Sequence, residues 1–205
     1  RDSSRHPYET LTFFEIKPDM KVVELSPGGG WYTEILANYI HKPGQLIAAH
    51  FDKDSQRAYF QRSRASFEKR IDEDPLFKDI EIVDLSSSLA EPGSVDAVLT
   101  FRNLHNWLGP QMDSIFANSS KALKPGGIFG VVEHRAKPGT SMEMMKKSGY
   151  VTEEHAIAVA KKHGFRLVNR SEINSNPKDS ANHPGGVWTL PPGLRLKDKD
   201  RQKYI

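Results

Sequence analysis

Two groups of residues in this chain have the type and spacing to do chemistry. The first is a glycine turn: the apolar run Val22-Val23-Glu24-Leu25 leads into Ser26-Pro27-Gly28-Gly29-Gly30 and then Trp31-Tyr32-Thr33. Consecutive glycines let backbone approach a ligand with no Cβ between them, and a helix that starts there points its unused N–H groups at the same place. That is the build of a nucleotide-cofactor crevice. The second group is histidine. Imidazole takes and returns protons near neutral pH, and His105 and His134 each sit just past an apolar run that reads as a strand, so His105 is the first candidate for a base and His134 the second. Glu133 and Arg135 flank His134 as candidate orienters. The chain has no cysteine, which removes thiolate nucleophiles, thiolate metal sites and disulfides together. The spacing of His50, Asp52, His105 and His134 fits no standard ligand pattern, and no metal is expected.

The elements that must position these groups are legible as alternating patterns. Short apolar runs at 21–25, 46–49, 80–83, 95–101 and 128–133 read as strands, and the segments 31–40, 55–72 and 112–123 between them as helices. Lys42-Pro43-Gly44 and Lys124-Pro125-Gly126-Gly127 act as helix stops. Strands joined through helices imply a doubly wound parallel sheet. Pro7 opens a short helix over 8–14, Thr152 caps one over 153–163, and 166–170 reads as a sixth strand. The pattern predicts one α/β domain over 1–174, with an N-terminal helical segment in 1–20 and a core over 21–170. Asn, Ser, Pro, Gly and alternating charges dominate 175–205, which reads as an irregular C-terminal extension.

At 205 residues the chain suits one core with appendages, and its net charge of +3 is spread without a basic tract. Nothing in that balance argues for nucleic acid. No apolar run has the ~18 residues of a membrane span. The chain starts at Arg1 rather than Met, so its compartment stays open: cofactor supply points to the cytoplasm, and export is compatible.

Several of these features together resemble the class I S-adenosylmethionine-dependent methyltransferases, over roughly residues 21–170. Val-Val-Glu-Leu-Ser-Pro-Gly-Gly-Gly is similar to that family's first motif, usually written with glycine where Ser26 stands. Ser94-Val95-Asp96-Ala97-Val98-Leu99 resembles its fourth-strand motif. Leu123-Lys124-Pro125-Gly126-Gly127-Ile128-Phe129 is similar to its turn into the fifth strand. Within the family, Gly-Gly-Gly-Trp-Tyr-Thr-Glu with Phe-Arg-Asn-Leu-His-Asn-Trp resembles a group of bacterial predicted methyltransferases. The resemblance implies a Rossmann-like fold, S-adenosylmethionine as cofactor and methyl transfer to an O or N atom of a small-molecule acceptor. That cofactor carries no phosphate, in keeping with a turn that has no lysine.

The resemblance also assigns sites. Glu24, Ser26, Gly28, Gly29 and Gly30 would hold the methionine portion, Asp84 and Leu85 the adenine, and Asn103 would line the methionine end. The acid that normally takes the ribose hydroxyls is replaced: alignment puts His50 there, with Asp52 two residues on, so either Asp52 reaches back or the ribose is held by the single acceptor of an imidazole. Trp31, Tyr32, Asn106, Trp107 and Arg135 are the candidate acceptor-pocket residues, although tryptophans in such places are as often ordinary packing. The extension from Asn176 to Trp188 reads either as a lid or as a peripheral tail. The family's last, antiparallel strand either lies beyond Ile205 or is supplied in degenerate form near 187–190, and an incomplete sheet edge invites pairing with another copy. Two other classes of answer remain beside the enzyme. One is a cofactor-binding scaffold without turnover. The other is a nicotinamide dehydrogenase, which the glycine spacing disfavours.

Overall fold

The apolar run at 22–25 becomes the middle of a five-stranded sheet. The computed structural model describes residues 2–191, 193–196 and 202. In chain order it contains α1 (Asp2–Arg5), α2 (Pro7–Phe13), β1 (Lys21–Leu25), α3 (Trp31–Tyr39), β2 (Gln45–His50), α4 (Ala58–Glu73), β3 (Glu81–Asp84), β4 (Val95–Phe101), α5 (Leu104–Trp107), α6 (Pro110–Ala122), β5 (Leu123–Val132), α7 (Met142–Ser148) and α8 (Glu153–Lys162). The strands stack in the order β3-β2-β1-β4-β5, all parallel. The order reverses between β1 and β4, and that is where an open α/β sheet forms a crevice beyond its strand ends. Leu25 lies opposite both Ala49 and Thr100, so the chain leaves β1, β2 and β4 at one level.

Alternation along β1 feeds two cores. Val23 and Leu25 pack with Trp107, Met112 and Phe116 on one face, while Val22 packs with Leu11, Phe14 and Leu36 on the other. A third cluster seats α4 through Phe67 and Ile71 against Ala48. Helix ends follow local chemistry: the Ser141 and Thr152 hydroxyls accept from the N–H groups of Met144 and His155 at the starts of α7 and α8.

Two expectations fail at the sheet's far side. The segment 166–170 forms no strand; Leu167 and Val168 are 44% and 79% exposed, so neither of two neighbouring apolar residues finds a buried face. Ion pairs hold this stretch elsewhere, Arg170 to Glu153 and Glu172 to Arg135. Residues 187–190 form no degenerate last strand either: Gly186–Thr189 is a 3-10 turn docked on the end of α7, where a Cβ on Gly186 would come within 1.9 Å of the Ser148 carbonyl oxygen. Among the described residues β5 is therefore an edge strand, and Ile128, Phe129, Val131 and Val132 are only partly covered.

The N-terminal helices are fastened to the sheet at one tight spot. A Cβ on Gly130 would meet Leu99 Cδ2 at 2.7 Å and Phe14 Cδ2 at 2.9 Å. Gly130→Ala is expected to cost about 1–3 kcal/mol through overpacking, read as a lowered Tm; an unchanged Tm would mean that Phe14 does not rest on β5.

Candidate active site

The glycine turn leaves β1 in left-handed backbone, with φ of 50° at Ser26, 60° at Gly28 and 79° at Gly30. At Ser26 this conformation carries the steric strain that glycine avoids. A Cβ on Gly28 or Gly29 would meet nothing within 4 Å, so this side of the turn is open to a ligand. The Ser26 hydroxyl oxygen is buried with no hydrogen-bond partner, and a polar ligand group would satisfy it. Beneath the turn Glu24 is 2% exposed and accepts from the Thr33 hydroxyl at 2.6 Å. Burial pushes its carboxyl up to about 7, against the lowering effect of the Thr33 bond.

Side chains from three elements grip the turn. His50, 1% exposed at the end of β2, accepts from the Phe51 N–H at Nδ1 (2.8 Å); its other nitrogen, Nε2, therefore carries the proton and donates to the Gly28 carbonyl at 3.3 Å. Burial also lowers its basicity. Arg70 of α4 donates to the Gly29 carbonyl and to Glu34. The Asn103 amide nitrogen lies 3.3 Å from the carbonyls of Leu25 and Ser26 and 3.2 Å from the Thr100 hydroxyl and the Phe101 carbonyl, and shares its two N–H groups among them. With both ring nitrogens occupied by backbone, His50 is a clamp on the turn rather than an acceptor for a ligand hydroxyl. Asp52 stands at the neighbouring loop, where its two oxygens accept from the Ser86 N–H (3.1 Å) and hydroxyl (2.7 Å). Asp84 is engaged by Arg64 at 2.9 Å and the Lys53 N–H at 3.2 Å. Leu85 turns its side chain into the core.

The strand ends bring His105 and Glu133 together. Phe101 and Val132 are paired across β4 and β5, and the Arg102 N–H donates to the Val132 carbonyl at 2.7 Å. The next residue on β5's side is Glu133, and His105 is the second residue of α5 on the other. Nδ1 of His105 donates to Glu133 Oε1 at 3.0 Å, and its backbone N–H donates to Oε2 at 3.3 Å. Glu133 thus orients His105, not the ring of His134, from which it takes only the backbone N–H at 2.7 Å. His134 is a poor base: burial lowers it to about 4, so at neutral pH it is an uncharged wall.

A roof crosses these groups. Trp188 meets His105 edge-on at 5.9 Å between ring centroids, and Tyr150 meets His134 the same way at 5.8 Å. One oxygen of Asp179 accepts from the Tyr150 hydroxyl (2.7 Å), the Ala181 N–H (2.9 Å) and His183 Nε2 (3.0 Å), tying the extension down. On the other side Arg5 lies over the Trp31 ring at 4.9 Å and accepts at its carbonyl from the Tyr32 hydroxyl, while the Tyr32 ring stacks on Phe101. Asn106 is exposed. Arg135 pairs with Glu172 and Glu153, away from any His134-orienting position. Trp107 is 2% exposed in the core, which takes it out of the acceptor wall. Sequence reasoning missed Thr33, Arg70, Tyr150 and Asp179. Only Thr33 carried a local signal, one helical turn from Gly30 and so facing back under the turn toward Glu24.

Two outcomes test this geometry. A carboxyl whose folded-state pKa is raised stabilises fully below its unfolded value, and that contribution is lost as pH climbs through the folded one. Glu24 should therefore cost the fold roughly 3 kcal/mol between about pH 4.5 and pH 8, a slope that urea unfolding of Glu24→Gln should lack; equal slopes would uncouple Glu24 from folding. His50→Asp sets an anion against the Gly28 carbonyl and removes its donor, and is expected to lower stability by about 1–3 kcal/mol. His50→Asn keeps a donor and should lose less; the reverse ranking would contradict the clamp.

Comparison with known proteins agrees with this construction. The family described as "Methyltransferase domain" matches residues 23–131, from β1 to β5. The fold is similar to that of a SAM-dependent methyltransferase from Aquifex aeolicus, with a TM-score of 0.61, 15% identity, and 80% of this chain and 81% of that one covered. It is also similar to the [4+2]-cyclase SpnF, at TM-score 0.64 and 17% identity over 82% and 59% of the two chains. A third likeness is to phosphoethanolamine N-methyltransferase 2 of Haemonchus contortus in complex with S-adenosyl-L-methionine, at TM-score 0.58 and 19% identity over 78% and 36%. At such identities the likenesses speak for the fold. The matched domain spans more than half of the chain, with a glycine turn suited to S-adenosylmethionine, and the protein belongs to the methyltransferase domain family of class I Rossmann-like fold.

Proposed function

We propose that this protein transfers the methyl group of S-adenosylmethionine to an O or N atom of a small-molecule acceptor, with His105 as the proton acceptor. The observation that carries this reading is the double contact of Glu133 with the ring and backbone of His105. It fixes the tautomer and leaves Nε2 as the basic nitrogen.

The cofactor supplies a methyl carbon already activated by its sulfonium. The chain's part is to bind, align and exclude water. Ser26, Gly28, Gly29 and Gly30 cradle the methionine portion over Glu24, with Asn103 fixing the level of the turn. Asp52 takes the ribose hydroxyls, since His50 is spent on Gly28, and the loop at Asp84 and Leu85 faces the adenine. For a hydroxyl acceptor, His105 would take the acceptor's proton at Nε2, and the cofactor, when bound, would supply the electrophilic methyl. Trp188, Trp31 and Tyr32 close the mouth.

A second reading is a cofactor-binding protein that does not transfer methyl groups. His50 in the acid's place favours it, and the likeness to a [4+2]-cyclase is in keeping with an architecture that is not tied to one reaction.

Calorimetric titration with S-adenosylmethionine, followed by label transfer from radiolabelled methyl donor to phenol, alcohol, amine and thiol panels, separates the two. No heat would sink the leading reading, and heat without label in any acceptor would favour the second. His105→Ala should bind the cofactor as the parent does and lose about 10²–10⁴ in rate. Glu133→Gln should lose rate with affinity kept, because a misaligned imidazole is poorly placed to take the acceptor's proton. Loss of cofactor affinity in His105→Ala would move that residue to binding.

A further inference from the structure

One face of α4 looks at the flank of the glycine turn. Tyr59, Ser63, Ser66 and Arg70 follow one another at steps of three and four residues, with Arg62 beside Ser63, and so share that face. Together with Gly28 and Gly29 they line a cavity of about 400 Å³ that has the buried Phe67 at its base. That volume lies at the small end of the roughly 300–1,000 Å³ of small-molecule pockets. A Cβ on Gly28 or Gly29 would meet nothing within 4 Å, so the turn leaves room on its own wall.

The lining carries charge of one sign. Arg62 and Arg70 are its ionised side chains, and no carboxylate faces them from it. Glu34 and the Gly29 carbonyl engage Arg70. The other arginines of α4 and its start are spent, Arg64 on Glu68 and Asp84 and Arg57 on the Phe60 ring. Arg62 makes no ion pair, hydrogen bond or ring contact among the described residues. The hydroxyls are idle too. Serines inside a helix commonly bond back to the carbonyl four residues earlier, as Ser114, Ser119 and Ser148 do here. Ser63, Ser66 and the Tyr59 hydroxyl bond to none of the described residues.

We propose that this cavity is a phosphate site, which takes the phosphate group of a soluble small-molecule monoester beside the cofactor turn. Guanidinium groups present parallel N–H donors matched to phosphate oxygens, and the three hydroxyls add donors along the same helix face. A phosphate monoester brings nearly two negative charges and three peripheral oxygens to these donors. A carboxylate brings one charge and two oxygens, and leaves donors unused. The chain's charge is spread without a basic tract, so an anionic membrane meets no broad field here and the soluble ester is the source. A phosphate that recruits Arg70 competes with the Gly29 carbonyl for its donors, and occupation therefore loosens the turn. That consequence rests on the reading of the turn as the S-adenosylmethionine site; the phosphate site does not.

Glycerol 3-phosphate and glycerate, titrated calorimetrically into the full chain, test this beside co-sedimentation with phosphatidylcholine vesicles that contain phosphatidic acid. Expected is saturable one-to-one binding of glycerol 3-phosphate, about tenfold or more tighter than glycerate, and no retention on vesicles. Arg62→Gln should weaken it about tenfold or more, and Ser63→Ala by a few-fold. Tm should hold in both, since neither side chain has a partner to lose. Lys69→Gln removes a cation outside the cavity on the same helix and should leave the binding as it is. Saturating glycerol 3-phosphate should weaken S-adenosylmethionine binding about five- to tenfold, and the cofactor should weaken the phosphate by the same factor. Glycerate bound as tightly, indifference to Arg62→Gln, an equal loss in Lys69→Gln, or retention on vesicles without soluble binding would overturn the phosphate site. Cofactor affinity unmoved by saturating phosphate would overturn the coupling. Phosphate binding with no cofactor heat sinks the methyl-transfer reading alone; cofactor heat with no phosphate binding sinks this inference alone.

Discussion

The reversal of strand order between β1 and β4 is the constraint on which the rest of the structure depends. Parallel strands require crossovers, and where successive crossovers leave in opposite directions the loops at the strand ends part and open a crevice. The turn, its histidine clamp and the His105–Glu133 pair are hung from strands at that reversal or beside it: the turn from β1, the clamp from β2, His105 from β4 and Glu133 from β5. Because Leu25 is level with Ala49 and Thr100, residues far apart in sequence emerge within reach of one another.

The turn itself is held by an unusual division of labour. An acid at the end of β2 would face the ligand and leave the Gly28 carbonyl to find its own donor. His50 does the opposite, donating to that carbonyl from one nitrogen and accepting the next backbone N–H with the other. The strain of Ser26 in left-handed backbone is met by the same logic. Arg70 and Asn103 take three further carbonyls of the turn region, those of Gly29, Leu25 and Ser26. A strained backbone persists when its surroundings over-determine it, and here three side chains do so without occupying the open side.

Much of the fold was legible because its signals are local. Apolar runs bounded by proline–glycine stops reproduce β1, β2, β4 and the helices between them within a few residues, and the glycine turn falls where expected. The sixth strand failed because Arg166-Leu-Val-Asn-Arg has strand-like content but no face to bury, and ion pairs to Glu153 and Glu172 outside the motif decide its course. The site was legible in its residues more than in its bonds. Glu133 stood out beside His134, but its partner is set by the β4–β5 register and the turn of α5, neither of which a single sequence states. His50 was noticed as a departure; that it faces Gly28 is a tertiary fact. Arg70 and Asp179 act from elements whose local sequence carries no trace of the turn or the roof.

The two histidines illustrate why position outweighs residue type. Both follow strands at the crevice, and both touch Glu133. His105 offers its ring to the carboxylate and so gains an orientation and a defined basic nitrogen, whereas His134 gives only its backbone N–H and is left with burial, which strips its basicity. Glu133 gives Oε1 to the His105 ring and the His134 N–H and Oε2 to the His105 N–H, and β5 ending at Val132 decides which ring is served. The same arrangement explains how the sheet tolerates an open edge. The crevice draws its groups from β1, β2, β4 and the end of β5, while its cover comes from Trp188 and the N-terminal helices. The contacts that grip the turn come from His50, Arg70 and Asn103, and none of them passes through the outer edge of β5.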